Sequence, residues 1–243
     1  MRALFATMRS ICLLLLACFT LGARPLHAEP VPPASSGEFI IVSGGVSLWI
    51  WEKWKANPHD NWWMNFIRAA RIRIQQIRKN DPNAQITWLV FRPSYISRGR
   101  QDSRDYISLI DSVRTTYNIK LMWFNSTSQF VNYLNFGQPR SQVKVSNLEL
   151  FCHSNKACLM FDYSNLIDSA SKVWLHEKDL GQINRGIFTS DALVRSWGCH
   201  TGSSMSQKFR RATGTPMWGL TTKSQYLTNE LPVAASVSGR WVR

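Results

Sequence analysis

Apolar and polar positions alternate along the chain between two kinds of pattern. Residues 38–46, EFIIVSGGV, are an almost unbroken apolar run ending at a glycine pair, which predicts a buried strand. Residues 61–79, NWWMNFIRAARIRIQQIRK, place Trp62, Trp63, Phe66, Ile67, Ala70, Ile74 and Ile77 at steps of about three and four residues. That spacing predicts an amphipathic helix. Arg68, Arg71, Arg78 and Lys79 fall on or near its other side, where a solvated face is expected.

Asp81-Pro82-Asn83 marks a turn, and 86–93 reads as a second strand. A helix is expected over 102–117, a strand over 120–125 and a short helix over 126–137 that stops at Gly137. Strands follow at 147–153 and, briefly, at 158–164. Residues 165–180 mix polar and apolar positions without a clear period. A strand at 192–199, a helix at 203–214 and a strand at 216–222 complete the pattern, and the tail beyond Tyr226 is irregular.

Strands that alternate with helices predict an α/β fold. The expected form is a three-layer sandwich, with a mostly parallel six-stranded sheet and helices on both faces, in a single domain over 38–243. Ligands in such sheets sit beyond the carboxyl ends of the strands. His153 closes the expected fourth strand and Cys199 the fifth, so neighbouring positions for these strands would bring both to one rim.

The first 28 residues lie outside that pattern. Arg2 and Arg9 precede an apolar core, Ile11–Leu21, and Leu26-His27-Ala28 forms a small-residue cleavage site. The core is short for a membrane span, so this reads as a secretory signal cleaved near Ala28, with 29–37 a flexible leader and the mature protein exported to the periplasm or secreted. Leu16-Ala17-Cys18 offers a lipid anchor at Cys18 as the lesser alternative. No later stretch predicts a transmembrane helix.

Charge changes the picture only in outline. Removing the three arginines of residues 1–28 takes the net charge from +14 to +11. A basic surface favours polyanionic partners such as nucleic acid, anionic lipid or an acidic wall polymer. No run of six or more Lys and Arg occurs, so no dedicated nucleic-acid site is expected.

Cysteine usage is more informative. Beyond the signal, the chain keeps Cys152, Cys158 and Cys199. An odd count in an exported protein leaves one thiol over. Cys152 and Cys158 are close enough in sequence for a disulfide, which nominates Cys199 as the spare. Cys199 sits in SWGCHTGSSMSQKF, between Gly198 and His200 and just before a predicted helix. A nucleophilic thiol needs exposure, stabilisation of the thiolate and a base. The sheet rim, the helix N-terminus and His153 are candidates for the three. Gly198 and Gly202 let the backbone bend, so that amides can face an oxyanion. His200 alternates to the opposite face and is the poorer partner.

The two strand ends, LELFCHS and VRSWGCHTGSSM, resemble those of the caspase/legumain-like superfamily of cysteine peptidases, clan CD. The histidine precedes the cysteine by 46 residues, the order of caspase-type enzymes and the reverse of papain-like ones. Cys199-His200-Thr201-Gly202-Ser203 looks like the Cys-x-Ser-Gly-Ser of legumain-like members, and Ser43-Gly44-Gly45 is similar to their first loop. The resemblance implies a caspase-like fold, with Cys199 as nucleophile and His153 as general acid/base. It also implies an oxyanion hole from the backbone amides of Cys199 and Ser154. The family has glycine after the histidine, where this chain has Ser154. The implied function is hydrolysis of peptide bonds in a peptide or protein substrate through a Cys199 thioester.

Other readings stay open. The same fold could serve as a non-catalytic, basic, exported binding module using the Arg68/Arg71 face, or as another α/β enzyme. Trp49, Trp51, Trp54, Trp62 and Trp63 could line a groove, although Trp62 and Trp63 suit core packing. Cys152, His153, Cys158, Cys199 and His200 lack metal-ligand spacing. With no phosphate loop or G-x-S-x-G elbow either, neither metal nor cofactor is expected.

Overall fold

The structure, a computed structural model, describes residues 37–56, 58, 62–163 and 173–243. They belong to one compact unit, Pro32–Arg243. The expected signal, the alternative anchor at Cys18 and almost all of the expected leader fall on residues outside those described.

Six parallel strands carry the expected apolar runs. They are β1 (Glu38–Ser43), β2 (Gln85–Phe91), β3 (Lys120–Phe124), β4 (Val145–Phe151), β8 (Phe188–Ser196) and β9 (Met217–Leu220). A seventh, β12 (Trp241–Val242), adds antiparallel to β9 from the tail that reads as irregular. The order is β12-β9-β8-β4-β1-β2-β3. The chain moves outward from β1 to β3, then crosses back to β4 on the other side of β1. The switch point of the sheet therefore lies between the carboxyl ends of β1 and β4, the usual crevice for a ligand in an open α/β sheet.

A short helix, α1 (Trp49–Glu52), comes after β1, and both sheet faces are covered. Phe39 and Ile41 of β1, Trp88 and Val90 of β2 and Phe151 of β4 pack with α2 (Asn65–Asn80), α3 (Arg92–Asp102) and α4 (Tyr106–Tyr117). Alternate residues, Ile40, Val42, Leu89, Leu148, Leu150 and Val194, pack on the other side with α5 (Thr127–Phe136) and α6 (Met205–Thr213). Parallel strands covered on both faces read as continuous apolar runs for this reason.

Helix α3 carries no apolar stripe, and the expected helix over 102–117 begins instead at Tyr106, capped by Asp105. The buried face of α3 is Ser94, Tyr95, Arg98 and Gly99. Arg98 is buried because it donates to Ser47 O at 2.8 Å and to Asp102 at 2.9 Å. A paired cation can occupy a core position, but a hydrophobicity pattern counts it as surface.

The solvated arginine face expected on α2 is also corrected. Arg78 donates to the carbonyls of Tyr117, Pro82, Ala84 and Asn118 at 2.7–3.1 Å, fastening the end of α2 to two loops. The Arg68 guanidinium lies 3.6 Å from the Trp62 ring and donates to Thr228 O. Neither is a spare charge. Arg73, on the same helix, is fully buried and pairs with Glu149 of β4 at 3.2 Å.

A second buried network closes the amino edge of the sheet. Glu38 accepts from Thr87, Tyr133 and Arg140 at 2.5–2.6 Å. Burial and the adjacent carboxylate push the Tyr133 hydroxyl well above its ordinary range. An open concavity of about 900 Å³ lies by this edge, lined by Phe136, Arg140 and Lys144 among others. It is remote in the fold from Cys199, which lies beyond the carboxyl edge.

Candidate active site

Strands β4 and β8 are parallel neighbours, with Glu149 opposite Arg195 and Leu150 opposite Ser196. On the α2 face, β4 presents Glu149 and Phe151, β8 presents Arg195, and Trp197 follows just past the end of β8. His153 follows on that side, with its ring against Phe66 of α2. Neither His153 nor Cys199 ends its strand, as the sequence pattern suggests. β4 stops at Phe151, and His153 opens β5 (His153–Ser154) of a small antiparallel sheet with β6 (Cys158–Met160) and β7 (Trp174–His176). β8 stops at Ser196, and Cys199 lies in the loop that follows.

The two loops are tied together. Ser154 Oγ donates to the carbonyl of Cys199 at 2.8 Å. A Cβ on Gly198 would sit 2.1 Å from Ser154 Oγ and 3.0 Å from Cys152 O, so only glycine permits this approach. Gly198→Ala is expected to lower the unfolding midpoint, because the clash separates the loops. Adding Ser154→Gly should recover part of the loss, since the two positions share one contact. Urea unfolding of the single and double variants checks this; strictly additive effects would count against the contact.

Past Cys199 the backbone is equally constrained. His200 adopts φ 60, which few non-glycine residues do. Its amide donates to Thr222 O at 2.9 Å and its Nδ1 lies 3.1 Å from Thr221 O. The His200 ring is therefore engaged with the end of β9.

The helix expected to support Cys199 begins only at Met205, and its first amides are already committed. Met205 N donates to Lys156 O and Ser206 N to Thr201 O. The sulfur instead meets β10 (Ser224–Gln225), with Ser224 N at 3.4 Å and Ser224 Oγ at 3.5 Å. Sequence reading passes over Ser224 because nothing local marks this serine, between the last expected strand and the tail.

His153 stands among aromatic rings. Its ring meets the edge of Phe66 at 5.0 Å and stacks on Tyr163 at 4.2 Å. Lys55 Nζ lies 4.6 Å from the Tyr163 ring and pairs with the buried Glu52. Phe66 also packs on Tyr226, two residues after Ser224. The segment carrying Ser224 and Tyr226 thus spans from the sulfur to the ring that borders His153.

The disulfide expected between Cys152 and Cys158 is absent, and all three described cysteines are free. The hairpin register explains it. His153 pairs with Met160 and Ser154 with Leu159, so Cys158 falls opposite Asn155. It donates to Asn155 Oδ1 at 3.3 Å. Cys152 lies three positions further along the ladder, about 10 Å at the usual strand rise, beyond the reach of a bridge. Burial pushes the Cys152 thiol well up, against the lowering effect of a hydrogen bond from the Met160 amide. Cys152 and Cys158 are both buried, which leaves Cys199 as the partly exposed thiol.

Trp63 packs in the core, stacked on Tyr106 at 3.9 Å, as its helical spacing predicts. Trp49 lies 4.6 Å from the Arg98 guanidinium, and Trp54 is 80% exposed. Among the described residues, no helix is long and apolar enough to cross a membrane, and no group of three or more His, Cys, Asp or Glu is gathered as for a metal. Comparison with family models, with curated proteins and with solved structures returns no match.

Proposed function

We propose that the protein is an exported cysteine peptidase of the caspase/legumain-like kind, with Cys199 as nucleophile and His153 as general acid/base. The observation that carries this reading is the 2.8 Å bond from Ser154 Oγ to Cys199 O. It joins the loops after two adjacent parallel strands at the carboxyl edge of the sheet, each loop holding one residue of the dyad.

In the proposed reaction the Cys199 proton passes to His153 and the sulfur attacks the scissile carbonyl carbon. The amides of Cys199 and Ser154 receive the oxyanion. Collapse breaks the C–N bond, and the leaving amine takes the proton from His153. Water, deprotonated by His153, then cleaves the thioester and restores the thiol.

Iodoacetamide labelling of the intact protein, read by mass on each cysteine peptide, tests the nucleophile. Cys199 should react at least tenfold faster than Cys152 or Cys158, and Cys199→Ala should abolish the fast label. Equal, slow labelling of all three would sink the proposal.

One observation favours a second reading. The enclosure of the His153 ring by Phe66 and Tyr163 also suits a histidine that only packs. On that reading the fold is a basic binding module without catalysis, and alanine at Cys199 or His153 leaves its partner binding unchanged. Arg68 would not lead such a surface, since it is committed to Trp62 and Thr228.

A further inference from the structure

We propose that Ser224 is the residue that positions the Cys199 sulfur for attack, a role resting on the nucleophile assigned above. The strand β10 comes from the carboxyl-terminal tail, 25 residues beyond Cys199, and belongs to neither of the loops that hold the dyad. It nevertheless brings two polar groups of one residue to the sulfur, the backbone amide at 3.4 Å and the hydroxyl at 3.5 Å. Both distances are ordinary for hydrogen bonds to sulfur.

The two groups differ in what they can do. The amide is a donor in every state of the site. The hydroxyl can accept from the neutral S–H, then rotate and donate once the sulfur is ionised. One oxygen therefore serves both the resting thiol and the attacking thiolate, with no movement of the chain. A donor to a charged acceptor is the stronger kind of hydrogen bond, so the hydroxyl holds the sulfur in place as it attacks. It also limits the directions in which the side chain can point. The rest of the segment is anchored independently of Cys199. Ser224 and Gln225 pair with β11 (Val233–Ala234), and Tyr226 packs on Phe66. The position of Ser224 is thus set by the tail and imposed on the sulfur, rather than the reverse.

The test is the rate of iodoacetamide alkylation at Cys199 in the full chain, followed by mass on the Cys199 peptide. Four proteins are compared: wild type, Ser224→Ala, Ser224→Thr and Ser224→Val. Threonine and valine have the same shape and differ by the hydroxyl alone, so any cost of a bulkier side chain cancels between them. Ser224→Ala and Ser224→Val should each react about tenfold more slowly, the size expected for one lost hydrogen bond to a charged group. Ser224→Thr should stay within about twofold of wild type. In 8 M urea, roughly full unfolding for such a domain, all four should label alike.

The outcomes separate the two ideas. If native wild-type Cys199 reacts no faster than in urea, the nucleophile assignment itself fails. If it reacts fast and Ser224→Ala and Ser224→Val match it, the nucleophile stands and the role of Ser224 is overturned. If threonine and valine are equally slow, Ser224 acts only by its size, which also overturns the proposal.

Discussion

Replacing Glu149 by alanine is expected to destabilise the protein by about 3–5 kcal/mol, the usual cost of removing one partner from a buried ion pair. Glu149 and Arg73 are both fully buried and lie 3.2 Å apart. Glu149 also accepts from Trp197 Nε1 at 2.5 Å and, more weakly, from Asn147. It therefore joins α2 and β4 to Trp197, just past the end of β8 and two residues before Cys199. Loss of the carboxylate leaves the Arg73 charge in the core with its main counter-charge gone. At roughly 2–4 °C per kcal/mol for a chain of this size, the melting temperature should fall by about 10 °C.

A double variant, Arg73→Met with Glu149→Leu, sharpens that test. It removes both charges and keeps apolar volume, which often restores stability in buried pairs. It should melt closer to wild type than Glu149→Ala does. Thermal unfolding followed by circular dichroism decides it. If the single variant melts within about 2 °C of wild type, the pair does not hold the strands together.

On the proposed peptidase reading, His153→Ala is expected to slow peptide hydrolysis by about 100- to 10,000-fold, the range for loss of a general acid/base. Alanine also empties space beside Phe66 and Tyr163, so reduced activity alone would not prove a chemical role. His153→Phe keeps an aromatic ring against both neighbours and removes the nitrogens. It should melt near wild type and be as inactive as the alanine variant. Hydrolysis by His153→Phe within a few-fold of wild type would remove His153 from the chemistry and leave it as packing. The rate is best measured as kcat on an unlabelled peptide mixture by mass, since the preferred residue beside the scissile bond is unassigned.

Much of the architecture follows from residue order alone. Apolar runs located all six parallel strands, because a strand covered on both faces must be apolar throughout. The same runs placed His153 and Cys199 just past the carboxyl ends of β4 and β8. Elements held by polar burial escaped. Helix α3 packs Ser94, Arg98 and Gly99 inward, and Arg73 pairs in the core, so both look like surface in any hydrophobic pattern.

Residue order specified the six parallel strands, four of the helices and the candidacy of the thiol. Tertiary structure alone decided what surrounds that thiol. The Ser154 bond, the Ser224 contact, the aromatic enclosure of His153 and the free state of Cys152 and Cys158 join residues from separate elements or depend on hairpin register. The physical reason is range. Periodicity records how each residue meets its own helix or strand over a few positions. Which strands lie side by side, and which tail crosses them, is set by packing between segments far apart in the chain, and no local pattern encodes it.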